Sequence, residues 1–163
     1  FSDSLLNRVA QSSLPANRIQ LEITEAELVA YGQSIAGILR DLSDLGFLIA
    51  ADNLGSSTAS LTYLHSIGVG AVKFDPSCLR SARESGNISV IRAQTNLAKS
   101  LGMETTCKGV SDANDQFIGL QVGCDYLQGF GLSRPDAIDV FARELDVQSG
   151  RNQKPERRIA HVR

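Results

Sequence analysis

The chain has 163 residues, 42% of them hydrophobic and 21% charged, with a formal charge of −2 at pH 7. That is enough apolar material for one folded domain with a real core, and it argues against a chain without a fold. The charge supplies no basic field for duplex nucleic acid, no apolar run nears the roughly 20 residues of a membrane span, and FSDSLLNRVA has neither region of a secretory leader, so a cytoplasmic location is expected.

Strand-like runs alternate with helical patterns. The chain opens inside a helical pattern, with Phe1 where an initiator methionine would stand, which suggests a piece of something longer. RIQLEIT (18–24) reads as the first strand. Residues 26–44 follow as a helix with Leu28, Ile35, Ile38, Leu39 and Leu42 near a 3.6-residue spacing, stopped at Gly46. FLIAAD (47–52) is the second strand, STASLTYLHSI a short helix with Leu61 and Leu64 on one side, and VGAVKFD (69–75) the third strand. A longer helix is expected over 87–101, with Ile88, Ile91 and Leu97 for burial and Gly102 as its cap.

METTC (103–107) is the fourth strand. The stretch SDANDQFIGLQV offers Ser111 and Asp112 as N-cap candidates and runs to Gly123. CDYL (124–127) is a fifth, short strand, and PDAIDVFARELD forms a last helix with Pro135 near its first turn. The tail SGRNQKPERRIAHVR (149–163) reads as a flexible basic extension. The repeated unit of strand, polar residue and helix fits a (β/α) barrel or an open doubly wound sheet. No G-x-G-x-x-G turn follows a strand, which favours the barrel. Cys78, Cys107 and Cys124 are odd in number and far apart in sequence, so neither a disulfide framework nor a zinc site is expected.

In a barrel the chemistry gathers at the C-terminal ends of the strands. Glu22 interrupts an apolar strand and shares a face with Gln20 and Thr24. Asp52 ends the second strand, Lys73 and Asp75 share a face of the third, Lys108 follows the fourth and Gln128 the fifth. Carboxylates on separate strand ends with a lysine nearby could begin an oxygen-ligand site for Mg²⁺ or Mn²⁺. Equally, Lys73 could pair with Asp75 or Glu22 and serve only to fix the interior.

Five ordered stretches resemble one family. LEITE (21–25), GFLIAADNLGSSTASLTYL (46–64), VKFD (72–75), LAKSLGMETTCKGVSDANDQ (97–116) and GCDYLQGFGLSRP (123–135) are similar to E-I-T-E, G-V-R-I-A-L-D-D-F-G-T-G-Y-S-S-L-x-Y-L, K-I-D, L-A-K-x-L-G-x-x-V-V-A-E-G-V-E-x-x-x-Q and G-C-D-x-x-Q-G-Y-x-F-S-R-P of the EAL domains. These are phosphodiesterases that hydrolyse cyclic di-GMP on a modified (β/α)8 barrel. The resemblance implies an α/β fold with about five mostly parallel strands and flanking helices, a partial barrel over residues 1–148 that lacks the family's first two or three strands. It implies metal ligands at Glu22 and Asp52, a lysine at Lys73 that helps hold the attacking water or phosphate, and a site-lining Gln128.

Three positions depart from the pattern. Asn53 replaces the second aspartate of D-D-F-G, Lys108 the glutamate of A-E-G-V-E, and Ser111 the second glutamate of that motif. Ser57 and Thr58 also replace a glycine and an aromatic. Two-metal hydrolysis needs anionic ligands around both cations. At an effective dielectric near 20, a unit charge about 5 Å from a divalent ion interacts by roughly 6 to 7 kcal/mol, so turning attraction into repulsion there weakens metal binding by orders of magnitude.

The expectation is therefore that the Lys108 ammonium stands in for a metal near Glu22, Asp52 or Asn53, against the alternative that it points into solvent. A degenerate, catalytically inactive domain follows, taking part in cyclic di-GMP signalling as a protein-interaction or ligand-sensing module without a metal cofactor. Its expected partners are a protein, cyclic di-GMP, or a second copy joined through exposed sheet edges. The competing reading is an active phosphodiesterase using Mg²⁺ or Mn²⁺, with missing ligands supplied upstream.

Overall fold

The computed structural model describes residues 2–12, 14–55, 60–138 and 140–142. Helix α1 (Ser2–Ser12) and a 3-10 turn (Ala16–Arg18) lead into β1 (Gln20–Thr24), followed by α2 (Glu25–Asp44), β2 (Leu48–Leu54), α3 (Leu61–Ser66) and β3 (Ala71–Phe74). Two helices, α4 (Pro76–Ser85) and α5 (Ser89–Ser100), separate β3 from β4 (Glu104–Lys108); α6 (Ala113–Val122) then precedes β5 (Tyr126–Gln128).

All five strands belong to one parallel sheet in the order β1-β2-β3-β4-β5. This order decides between the two architectures that the sequence left open. A doubly wound sheet reverses its strand order at a switch point. Here the order never reverses, and right-handed crossovers between successive parallel strands put every connecting helix on the same face, as in a barrel wall. The fold is therefore the α/β partial barrel expected, with β1 and β5 at the two ends of the described sheet.

The local causes are readable. Thr24 caps α2 through a reciprocal box: its Oγ1 accepts from Glu27 N at 3.3 Å while Glu27 Oε2 accepts from Thr24 N at 3.0 Å. The buried stripe of α2 comprises Leu28, Leu39 and Leu42, but Ile38 is 45% exposed. At about 100° per residue, position 38 lies some 80° off that stripe. Leu97 differs for the same reason: the buried face of α5 is Ile91, Thr95 and Ala98, and Leu97 points outward.

Helix α4 is absent from the apolar pattern because it buries only Leu79 and Ala82. Its signals are Asp75 as N-cap and Pro76 in the first turn. Of the two cap candidates for α6, Asp112 takes the role, its Oδ1 accepting from Asn114 N and Asp115 N. After β5 a helical turn starts where Val140 N and Phe141 N donate to Ala137 O at 3.0 Å. Most of the last expected helix, the altered loop at Ser57 and Thr58, the boundary at 148 and the tail 149–163 lie outside the described residues. Among the described residues no helix is long and apolar enough to cross a membrane.

Candidate functional site

The polar groups singled out from the sequence collect at the C-terminal ends of the strands. Each owes its position to a local feature of the backbone. On β1, Gln20 Nε2 donates to Glu22 Oε1 at 2.9 Å, so the two residues share a face. Lys73, on β3, reaches across β2 to the same oxygen at 2.7 Å, its side chain 2% exposed against 29% for Glu22.

The end of β2 is irregular. Its register with β3 shifts between Ala51 and Leu54, and Asn53 has φ of 57°. Asparagine is among the residues that tolerate this left-handed conformation. Successive strand residues normally point to opposite faces, and a bulge re-aims them. Here Asp52 and Asn53 both face one cation: Lys108 Nζ lies 2.6 Å from Asp52 Oδ1 and 2.8 Å from Asn53 Oδ1. Lys108 and Asp52 side chains are each 17% exposed, so this ammonium is drawn inward rather than extended into solvent.

Asp75 lies just past β3, and its Oδ1 accepts from Ser77 N at 2.8 Å as the cap of α4. Burial works to raise its carboxyl, but hydrogen bonds from Ser77 and the charges of Lys108 and Arg80 outweigh it, so the group sits below the usual aspartate value. Gln128 stands opposite Lys108 in the β4–β5 register. Its Oε1 is buried and accepts no hydrogen bond among the described residues.

Ser111 is turned away from this cluster. Its N–H and hydroxyl both donate to Asp115 Oδ2, and Arg83 of α4 bridges Asp112 and Asp115 at 2.8 and 3.0 Å. The β4–α6 loop is thereby tied to helix α4. It is also locked to the end of β5: Val110 N donates to Gln128 O and Gly131 N to Val110 O. A Cβ on Gly129 would come within 2.0 Å of Val110 O, so glycine alone allows these backbones to meet.

One contributor escaped the sequence reading. Glu25 is 1% exposed, and its Oε2 accepts from Gly55 N at 3.1 Å, which anchors the backbone just beyond Asp52 and Asn53. The available signal was a carboxylate at the first position of a helix directly after a strand, where most such residues simply favour the helix dipole.

Among the described residues no three histidine, cysteine, aspartate or glutamate side chains converge to hold a metal. Glu22 and Asp52, the two ligands that the resemblance implied, each have an ammonium within 2.7 Å of a carboxylate oxygen. The Lys73 ammonium stands where the resemblance also implies a lysine, so the ammonium of Lys108 beside Asp52 is the part of this arrangement that departs from the family pattern.

The EAL domain family model matches residues 1–135. The bifunctional diguanylate cyclase/cyclic di-GMP phosphodiesterase MucR of Pseudomonas aeruginosa is 30% identical over 134 residues, covering 82% of this chain and 20% of that protein. The solved MucR phosphodiesterase in complex with c-di-GMP matches with a TM-score of 0.79 at 28% identity, over 86% of this chain and 57% of that one. The EAL domain of Mycobacterium smegmatis DcpA matches with a TM-score of 0.77 at 27% identity, over 94% of this chain and 67% of that one. The chain thus spans about a fifth of the length of the curated relative. With a family match over most of its length, relatives near 30% identity and this strand order, the chain belongs to the EAL domain family.

Proposed function

We propose that this chain is a non-hydrolytic EAL domain, taking part in cyclic di-GMP signalling as a protein-interaction or ligand-sensing module. The observation that carries this reading is the position of Lys108 Nζ, 2.6 Å from Asp52 Oδ1 and 2.8 Å from Asn53 Oδ1. A fixed ammonium neutralises the aspartate and occupies the space next to it. It offers no Lewis-acid orbital and does not generate hydroxide from water, the two services a metal performs in phosphodiester hydrolysis. Asn53 supplies a neutral oxygen where the family pattern has a charged one, and Ser111 is spent on Asp115.

Binding of a phosphodiester survives such changes better than its cleavage does. Two ammonium groups, Lys73 and Lys108, remain near the strand ends, and the buried Gln128 Oε1 is an acceptor in want of a donor. These features support the ligand-sensing form. The protein-interaction form is the alternative to it, in which the domain acts through contacts with another protein.

A second reading has its own support. Glu22, Asp52, Lys73 and Gln128 match the family's site residues, and relatives of similar length of match are named phosphodiesterases. An active enzyme would need Lys108 to release Asp52 to a metal. The test is hydrolysis of cyclic di-GMP with Mn²⁺ or Mg²⁺ on the longest available form of the protein. Turnover that EDTA abolishes would reject the non-hydrolytic reading. If turnover is absent, calorimetric titration with cyclic di-GMP separates the two forms, with saturable heat near one ligand per chain marking a sensor.

A further inference from the structure

Helices α4 and α5, joined through the left-handed cap Gly86 at φ of 65°, do not close on each other. The face that α4 turns to the gap carries only small side chains, among them Ser77, Cys78 and Ala82, and α5 presents Ile91 and Gln94 opposite them. Such side chains leave space unfilled, and a cleft of about 330 Å³ remains, bordered by Gly55 just beyond β2. A Cβ on Gly55 would come within 2.5 Å of Cys78 Sγ, so glycine is what lets the strand end approach α4. Glu22, Asp52, Lys73 and Lys108 are not part of the lining, which separates this cleft from the cation–carboxylate ties.

The lining defines what would fit. Protein interiors are close-packed, whereas ligand pockets of apolar walls and a few polar groups begin at about 300 Å³. Here Ala82 and Ile91 are 4% and 3% exposed and give an apolar wall on each helix. Ser85 Oγ donates to Ser81 O, but the Ser77 and Ser81 hydroxyls and the Gln94 amide have no hydrogen-bond partner among the described residues. No charged side chain lines the cleft, so a charged guest would lose its hydration without a counter-charge. Anions meet a second obstacle. Burial, and then the carboxylates of Asp75 and Glu25, push the Cys78 thiol up, which marks the field at this wall as negative. The thiol stays protonated and donates to Leu54 O at 3.6 Å.

We propose that the cleft between α4 and α5 is a second binding site, which takes a small, uncharged ring compound with a hydrogen-bonding edge. The ring packs between Ala82 and Ile91, and its polar edge meets the Ser77 and Ser81 hydroxyls and the Gln94 amide. A rigid ring is favoured because it loses little conformational freedom on binding. The site is independent of the strand-end cluster and of whether that cluster hydrolyses, senses or does neither.

The test is a titration of the full chain, labelled with ¹⁵N, with benzamide and with benzoate, which share a shape but not a charge. Benzamide should shift the backbone amides of Gly55 and of residues 77–82 and 90–94 to saturation, with a dissociation constant of about 10 mM or tighter, as ordinary binding efficiency gives for so small a ligand. Benzoate should bind at least about tenfold more weakly. Ser81→Phe, at an exposed position of α4, puts a ring into the cleft from the chain itself and should abolish the shifts. Should that variant fold poorly, Ser77→Ala removes one oxygen and should weaken benzamide about threefold to tenfold, the value of one hydrogen bond. Absence of saturable shifts, shifts centred elsewhere on the chain, equal binding of benzoate, or unchanged binding in both variants would each overturn the proposal.

Discussion

Lys73 Nζ on β3 sits 2.7 Å from Glu22 Oε1 on β1, with β2 running between them. Lys108 on β4 repeats the relationship with Asp52 on β2, across β3, at 2.6 Å. Neighbouring strands are about 4.8 Å apart, so strands two apart stand near 10 Å and their side chains meet only on the concave face of a curved sheet. Barrel interiors are filled in layers contributed by alternate strands. Each of the two cation–carboxylate ties likewise links alternate strands, one joining β3 to β1 and the other β4 to β2.

Exchange of Lys108 for the acid of the family pattern should change what the site binds. Lys108→Glu removes the ammonium beside Asp52 and adds an anionic oxygen donor, so Mn²⁺ should bind at least about tenfold more tightly by calorimetry. Lys108→Met, which removes the charge without adding a ligand, should give a smaller gain. An unchanged Mn²⁺ isotherm in both variants would mean that Lys108 does not control cation access.

The Lys73–Glu22 pair should respond asymmetrically to truncation. Glu22→Leu takes the carboxylate from beside an ammonium that is 2% exposed, whereas Lys73→Met leaves a carboxylate that is 29% exposed and can hydrate. Breaking a buried pair from one side costs about 3–5 kcal/mol, and partial exposure of the remaining charge reduces that. Urea denaturation should therefore find Glu22→Leu the more destabilised of the two, and the reverse order would contradict the burial argument.

Gly129 should admit no side chain. Its Cβ would lie 2.0 Å from Val110 O and 2.4 Å from Val110 N, both backbone atoms. Gly129→Ala should cost about 3 kcal/mol, at the upper end for overpacking. Gly37→Ala serves as the control, because a Cβ there meets nothing within 4 Å in helix α2 and should stabilise by about 0.4–1 kcal/mol. Equal midpoints for the two variants in urea would refute the steric account.

Asp115 should mark the acid limit of stability. Burial raises its carboxyl, but the hydrogen bonds from Ser111 and the Arg83 guanidinium overcome this, and the group lies below its ordinary value of 3.8. A depressed carboxyl contributes stability that is fully present above the unfolded value and is lost as pH falls through the folded one. The loss should thus appear below pH 3.8 and be absent near neutrality. Asp115→Asn should be less stable than the parent at pH 7, and the gap should narrow as acid titration by circular dichroism proceeds below that value.

Much of this protein was legible in the order of its residues. Five strand-like runs, the capping sequence after β1 and the spacing of Glu22, Asp52, Lys73, Lys108 and Gln128 defined the class of fold, the family and the end of the sheet where its polar groups gather. Alternation along a strand assigns each residue to a face, which is why Gln20 and Glu22 meet as the pattern implies. The same pattern put Lys73 and Asp75 together, yet Asp75 follows the last strand residue and turns its carboxylate to the first turn of α4.

Which cation meets which carboxylate was decided in three dimensions. The ties from β3 to β1 and from β4 to β2 depend on sheet curvature, a property of many strands at once that no single run of sequence encodes. The aim of Asp52 and Asn53 at one ammonium depends on the register shift at the end of β2. Local pattern fixes the direction in which a side chain leaves its strand; distance between strands sets what it touches.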